Sequence, residues 1–230
     1  MTTDRISIII PFYNEEENVT AVLEEVRRCQ PSAEVIAVDD GSTDSTWQRI
    51  ESLENINGIK LPSNRGQSAA MLVGLNRASC PICVVMDGDG QNDPGDIATL
   101  ISHMSSADAV FGYRKIRKDS WSKRMASKVG NGIRRWFTND GIRDTGCSLK
   151  VFRKEMVDCL PPFNGVHRFM GPFFLACSYK ILEVPVNHRP RTGGESKYNN
   201  TGRALRGIYD LIGVCWYLKR RVDIRINQNE

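Results

Sequence analysis

Long hydrophobic runs are missing from this sequence. No run approaches the ~18–20 apolar residues of a membrane-spanning helix. The first apolar segment, Ile6–Ile10, is short and follows Asp4, so no secretory signal is expected. Glycine-rich phosphate loops are missing too. There is no GxGxxG and no GxxxxGK[ST], which removes support for a dinucleotide-binding fold or a P-loop. Histidine is scarce: His103, His167 and His188 have no metal-ligand spacing. The seven cysteines are odd in number and scattered, which excludes a disulfide framework and suggests reduced thiols in a cytoplasmic protein. Cys80-Pro81-Ile82-Cys83 is a lone CxxC that runs into a strand rather than opening a helix, so it reads as a structural pair, not a redox or zinc site.

What is present fits one globular domain with a small appendage. The chain has 230 residues, 40% hydrophobic and 25% charged, which argues against disorder. Charge is divided unevenly. Residues 1–113 hold 7 Lys+Arg and 17 Asp+Glu, a net −10; the remainder holds 24 and 10, a net +14. An acidic first half suits a cation, and a basic second half suits phosphate or an anionic surface.

Along the chain, apolar runs alternate with amphipathic segments. Ile6–Ile10, Glu34–Val38, Ile59–Leu61, Ile82–Met86 and Ala109–Phe111 read as strands. Helices are expected after Asn14, after Ser42, around Ala69–Leu75, and after Pro94, with Asn14 and Ser42 as N-caps. Such alternation predicts a parallel sheet. Several strands end in polar residues: Tyr13 to Glu15, Asp39-Asp40, and Asp87-Gly88-Asp89-Gly90-Gln91. Right-handed crossovers bring those ends to one edge, where ligands of open α/β sheets bind. Asp89 and Gln91 offer hard oxygen ligands of the kind Mg²⁺ or Mn²⁺ takes while leaving places for phosphate oxygens.

The character changes at Arg114. Residues 114–135 hold nine basic residues and one acidic one, and from Ser120 onward they read as a helix. Lys123, Ser127, Asn131 and Arg135 repeat every four residues, a polar stripe on one face suited to an anion. Few aromatics interleave, so nucleic acid is not the expected partner. Asp144–Phe152 reads as a turn into a strand, and Tyr179–Asn187 as the last strand. The loop from His188 to Lys197 is basic, with Arg191 and Lys197 placed to close on phosphates. A final helix, about Gly202 to Arg221, carries Leu205, Ile208, Ile212, Cys215 and Trp216 on one broad face, with Lys219, Arg220 and Arg221 at its end. It suits either core packing or the membrane interface.

Taken together, Pro11-Phe12-Tyr13-Asn14-Glu15, Asp39-Asp40-Gly41-Ser42-Thr43-Asp44, Asn64-Arg65-Gly66, Asp87-Gly88-Asp89-Gly90-Gln91, Gly112-Tyr113-Arg114, the 123–135 stripe and Arg191-x-x-Gly194-x-Ser196-Lys197 resemble the family 2 glycosyltransferases of GT-A fold. Within that family the chain resembles the polyprenyl-phosphate sugar synthases, the dolichol-phosphate mannose synthase group and its undecaprenyl-phosphate relatives. The resemblance covers about residues 6–220. It implies an α/β fold with a Rossmann-like, mostly parallel sheet flanked by helices, and a C-terminal amphipathic interfacial helix. Residues 1–198 would be the catalytic domain, with a nucleotide-sugar half (6–113) and an acceptor half (114–198). Residues 199–222 would be the interfacial helix, and 223–230 a tail.

The resemblance also implies roles. Pro11, Tyr13, Glu15 and Asp40 would hold the nucleoside of a UDP- or GDP-sugar. Asp87, Asp89 and Gln91 would handle ribose, phosphate and metal, Mg²⁺ or Mn²⁺. Arg114 and Ser127, with Lys123 or Arg124, would hold the lipid phosphate, and Arg191 and Lys197 would close on the phosphates. Lys123 stands where relatives commonly place arginine. The implied reaction is inverting sugar transfer to polyprenyl phosphate, with Asp89, Arg114, Arg191 and Lys197 as its catalytic residues. The expected setting is the cytoplasmic face of a membrane. Many relatives carry transmembrane helices after the catalytic domain; with no such run here, a separate membrane-protein partner or the interfacial helix would bring the enzyme to its lipid, and homo-oligomerisation stays open. The alternative is transfer to a saccharide or protein hydroxyl, which needs a carboxylate base such as Asp144.

Overall fold

A computed structural model of the chain describes residues 5–114, 132, 138, 140–190 and 200–222, and the side chains of all but 200–206 among them. Lys123, Arg124, Ser127, Arg191 and Lys197, with the expected basic helix, lie outside the described residues. Among the described residues the strands are β1 (Ile6–Phe12), β2 (Glu34–Asp39), β3 (Asn57–Lys60), β4 (Ile82–Val85), β5 (Ala109–Arg114), β6 (Lys150–Arg153) and β7 (Ile181–Val186). The helices are α1 (Val19–Cys29), α2 (Thr46–Glu51), α3 (Gln67–Arg77), α4 (Asp96–Ser102), α5 (Met170–Ala176) and α6 (Asn200–Arg220).

The strands form one sheet in the order β3-β2-β1-β4-β6-β5-β7. Every strand but β6 runs the same way; β6 is antiparallel to both β4 and β5. β1, β2 and β4 read as apolar runs because helices cover both of their faces, whereas the edge strand β3 is largely exposed. Alternation then sorts their side chains. Ile8, Ile10, Val35, Ala37 and Val84 pack on the side of α1 and α4, whereas Ile9, Ile36, Val38, Cys83 and Val85 pack on the side of α3, α5 and α6. Val19, Val22, Leu23 and Val26 are the buried stripe of α1, at helical spacing. Each such side chain contributes about 1.5–3 kcal/mol on burial.

Several local expectations are corrected. α1 begins at Val19, so Glu15, Glu16 and Glu17 form a turn ahead of it, not its first turn. Asn14 adopts φ 51 and spends its side chain across the rim, where Oδ1 accepts the Thr43 N–H at 2.8 Å. Ser42 does not cap α2, which starts at Thr46; its Oγ accepts the Asn14 N–H at 2.9 Å. These polar side chains tie two loops together because each loop has backbone donors that no helix satisfies. Cys80 and Cys83 are buried free thiols, and burial pushes the Cys83 thiol up to about 12. Cys159 and Cys177 are instead joined, linking the 3-10 turn Lys154–Cys159 to the end of α5. Sequence spacing could not show that pair, since the fold makes the contact.

The last helix divides its apolar residues between two faces. Leu211 and Val214 are buried against the core, with Cys215 and Leu218 beside them. Ile208, Ile212 and Trp216 are 55%, 63% and 65% exposed. The single broad face read from sequence is therefore two rows, one packed and one open.

Candidate active site

The carboxyl ends of β1, β2 and β4 lie side by side, as the alternation required. Residues following them build an acidic rim. Gly41 sits there at φ 67, and a Cβ would stand 2.4 Å from the Ser63 backbone, so only glycine allows the two loops to close. Beside it is a cavity of about 630 Å³ lined by Tyr13, Gly41–Thr43 and Lys60–Asn64. Its lining mixes a ring, hydroxyls and a lysine, the groups that a nucleoside can stack on and bond to.

The carboxylates of the rim are not equivalent. Asp39 is buried and accepts the Ser42 N–H at 3.2 Å. Asp40 accepts the Arg65 and Gly66 N–H groups, each at 2.8 Å, one on each oxygen. Burial raises its carboxyl above the ordinary range, against those two bonds. Asp40 thereby holds the 64–66 loop on the cavity wall. Glu15 accepts from Asn18 Nδ2 at 2.7 Å, and its own N–H donates to Thr46 at 2.9 Å. Pro11 lies past the last β1–β4 pair, where its missing N–H costs no ladder bond on that side.

Asp87, Gly88, Asp89 and Gln91 form the turn after β4. Gly88 passes so close to β1 that a Cβ would meet the Phe12 ring at 2.4 Å. This close approach brings the turn over the rim. Asp87 Oδ1 accepts from Gln67 Nε2 at 2.6 Å, and the Asp87 N–H donates to Asn92 Oδ1 at 3.1 Å. Asp89 Oδ1 accepts the Gln91 N–H at 3.1 Å. Burial and the neighbouring charge of Asp89 raise the Asp87 carboxyl to about 6. A carboxyl pushed up by burial and by a neighbouring carboxylate fits a bound divalent cation. Among the described residues, no three His, Cys, Asp or Glu side chains gather into a cation site. A cation here would take its other ligands from diphosphate and water, as Mg²⁺ does.

Arg114 ends β5 on the same edge. Its Nε donates to Asp144 at 2.8 Å and its Nη2 to the other oxygen at 2.9 Å. Asp144 is buried and also accepts the Arg114 and Gly146 backbone N–H groups. So loaded, it is not a free general base, which weakens the hydroxyl-acceptor alternative. Between the two sites, at the start of β6, stands Lys150, a buried lysine not singled out by sequence. Its ammonium donates to the Cys147 carbonyl and lies 5.5 Å from the Phe111 ring centre. Burial lowers its pKa, while Asp87 and Asp144 favour its charge. Nothing in a lone Lys within Ser148-Leu149-Lys150-Val151 announces this. Gln67 and Asn92 were missed for the same reason, since amides carry no charge pattern.

The model of "Glycosyl transferase family 2" matches residues 7–160. A dodecaprenyl-phosphate galacturonate synthase of Rhizobium johnstonii is 33% identical over 228 residues, 93% of this chain and 67% of that protein. An undecaprenyl-phosphate 4-deoxy-4-formamido-L-arabinose transferase of Proteus mirabilis is 31% identical over 219 residues, covering 91% and 67%. The chain thus spans about two thirds of the length of these relatives. Glucosyl-3-phosphoglycerate synthase of Mycobacterium tuberculosis, solved with Mg²⁺ and uridine diphosphate, superposes with a TM-score of 0.73 at 17% identity, covering 96% of this chain and 82% of that one. The sheet and its flanking helices are those of the GT-A fold.

Proposed function

Since this chain belongs to glycosyl transferase family 2 and is a glycosyltransferase, we propose that it moves a sugar from a nucleotide-sugar to a polyprenyl phosphate. The observation that carries the reading is the pairing of opposite sites on one edge. The Asp87–Asp89 turn and the Arg114–Asp144 pair end strands β4 and β5, with only β6 between. At a strand spacing of about 4.8 Å, the two sites stand roughly 10 Å apart. That separation suits a donor diphosphate on one side and an acceptor phosphate on the other.

The acceptor chemistry explains the charges. A phosphate monoester, with a second pKa near ~6, is mostly ionised at neutral pH and needs no strong base. It needs cations against repulsion from the donor. Arg114, fixed at two points by Asp144, presents a pre-ordered guanidinium for that purpose. Tyr13 and the Lys60–Asn64 segment line the nucleoside cavity. Asp87 and Asp89 would hold Mg²⁺ or Mn²⁺, which supplies Lewis-acid stabilisation of the leaving diphosphate. Lys123 or Arg124 with Ser127 would complete the lipid-phosphate site, and Arg191 and Lys197 would cover the donor phosphates.

The approach to lipid falls to α6. No helix among the described residues is long and apolar enough to cross a membrane. Ile208, Tyr209, Ile212 and Trp216 form an exposed apolar row near Lys219, Arg220 and Arg221. Such a row suits the headgroup boundary of an anionic leaflet, with each basic residue adding about 1 kcal/mol.

The test is sugar transfer from a panel of UDP- and GDP-sugars, uronic acids and amino-arabinoses included, to undecaprenyl phosphate or to soluble saccharides, with Mn²⁺ or chelator. Product on the lipid phosphate is expected. Transfer to a saccharide hydroxyl with none to the lipid would overturn the reading.

A further inference from the structure

Asp87, Asp89 and Gln91 lie on a turn, and turns are poor platforms for a cation site unless something braces them. The brace comes from the far end of the chain. The segment after β7 runs along the 91–96 stretch. Asn187 N–H and Nδ2 donate to the two oxygens of Asp96, at 2.6 and 3.2 Å. His188 bridges to Asn92, and the Arg189 N–H donates to the Gln91 carbonyl at 2.9 Å. Gln91 Nε2 in turn reaches the Arg189 carbonyl at 3.4 Å.

The Arg189 side chain then spans two elements. Its Nη1 lies 2.9 Å from both oxygens of Glu25 on α1, and its Nη2 lies 2.9 Å from Asp93 Oδ1. Burial works against the charged guanidinium, but the bonds and charges of Glu25 and Asp93 together outweigh it and raise its pKa. Asp93 sits two residues beyond Gln91, and α1 is anchored by its buried stripe on the sheet. Arg189 therefore ties the end of the turn to α1. A surface pair alone would contribute little. Here one guanidinium joins two carboxylates and a backbone bond on the same residue, which fixes geometry more than it adds stability.

We propose that Arg189 is a positioning residue for the donor's cation: through Asp93 and the Gln91 backbone it holds the Asp87–Gln91 turn in its metal-binding shape, with Glu25 as its anchor on α1. The proposal rests on the reading of that turn as a metal site. Neither Arg189 nor Glu25 belongs to the residues assigned above to donor, metal or acceptor.

The experiment measures Mn²⁺ affinity by electron paramagnetic resonance on the whole protein, with Mn²⁺ alone and with UDP or GDP added. Arg189→Gln is expected to weaken Mn²⁺ binding about tenfold, Arg189→Lys less, and Glu25→Gln about threefold. The Glu25→Gln effect should vanish in the Arg189→Gln background, because it acts through the same guanidinium. A merely structural role would lower the melting temperature without that coupling. If wild type binds Mn²⁺ and both single variants bind it within twofold, or if the two effects simply add, the proposal fails. If wild type binds no Mn²⁺ with either nucleotide, the metal reading itself fails and takes the proposal with it.

Discussion

Two pairs of charged side chains stand at the ends of β4 and β5, one strand apart in the same sheet, and they are built in opposite ways. Asp87 and Asp89 are like charges, and burial together with the nearby Asp89 raises the cost of ionising Asp87. Arg114 and Asp144 are opposite charges, joined at two points and largely buried. A cation would relieve the first pair. The second has its guanidinium held in a fixed attitude by two bonds to Asp144. A site that recruits its charge suits a ligand arriving with a metal. A site that carries its charge suits a ligand that is itself an anion.

That contrast can be broken from either side. Asp89→Ala removes a carboxylate that nothing else replaces, and should reduce turnover about 100-fold or more, read as sugar transferred per minute at saturating Mn²⁺. Asp144→Ala should be the most destabilising change at the second pair. It strands the Arg114 guanidinium in a buried place, at a cost of roughly 3 kcal/mol by urea denaturation. Arg114→Ala should raise the KM for polyprenyl phosphate about tenfold while nucleotide affinity, measured by calorimetry, stays within twofold; loss of nucleotide binding alone would contradict its assignment.

Asp87 sharpens the comparison through pH. Its folded carboxyl, at about 6, stands above the ordinary value of 3.8. Stability from this group is therefore present at pH below the unfolded value and lost as pH rises through about 6. In metal-free protein, Asp87→Asn should raise the melting temperature at pH 7.5 by about 2–4 °C and have no such effect at pH 4. Added Mn²⁺ should stabilise wild type at pH 7.5 and progressively less toward pH 5. The smallest effect is expected at α6. Trp216→Ser should leave the melting temperature within about 1 °C and reduce co-sedimentation with anionic vesicles a few-fold, whereas Val214→Ala, on the packed row, should lower the melting temperature instead.

What could be read in the sequence is what short stretches of chain determine. Ile82–Met86 is apolar and bounded by Asp87, so strand and acidic turn were both visible, and parallel alternation then put three polar strand ends on one edge. The charge split between halves survives in the fold as the acidic rim and Arg114. The caps at Asn14 and Ser42 were misread because local propensity favours a helix start there, while the loops spend those groups on each other across 28 residues.

The rest only the tertiary structure decided. Asp144 as a partner instead of a base, thirty residues from Arg114, depends on β6 running back between β4 and β5. Arg189 meets Glu25 across 164 residues, and no periodicity links them. The division of α6 into a packed and an open row depends on which side of the sheet it lands. Local sequence determines which backbone forms and which chemistry each strand end can offer, because those follow from side-chain spacing. Which charges end up neutralised, and which are left to bind something, depends on partners that only the folded sheet brings within 3 Å of one another.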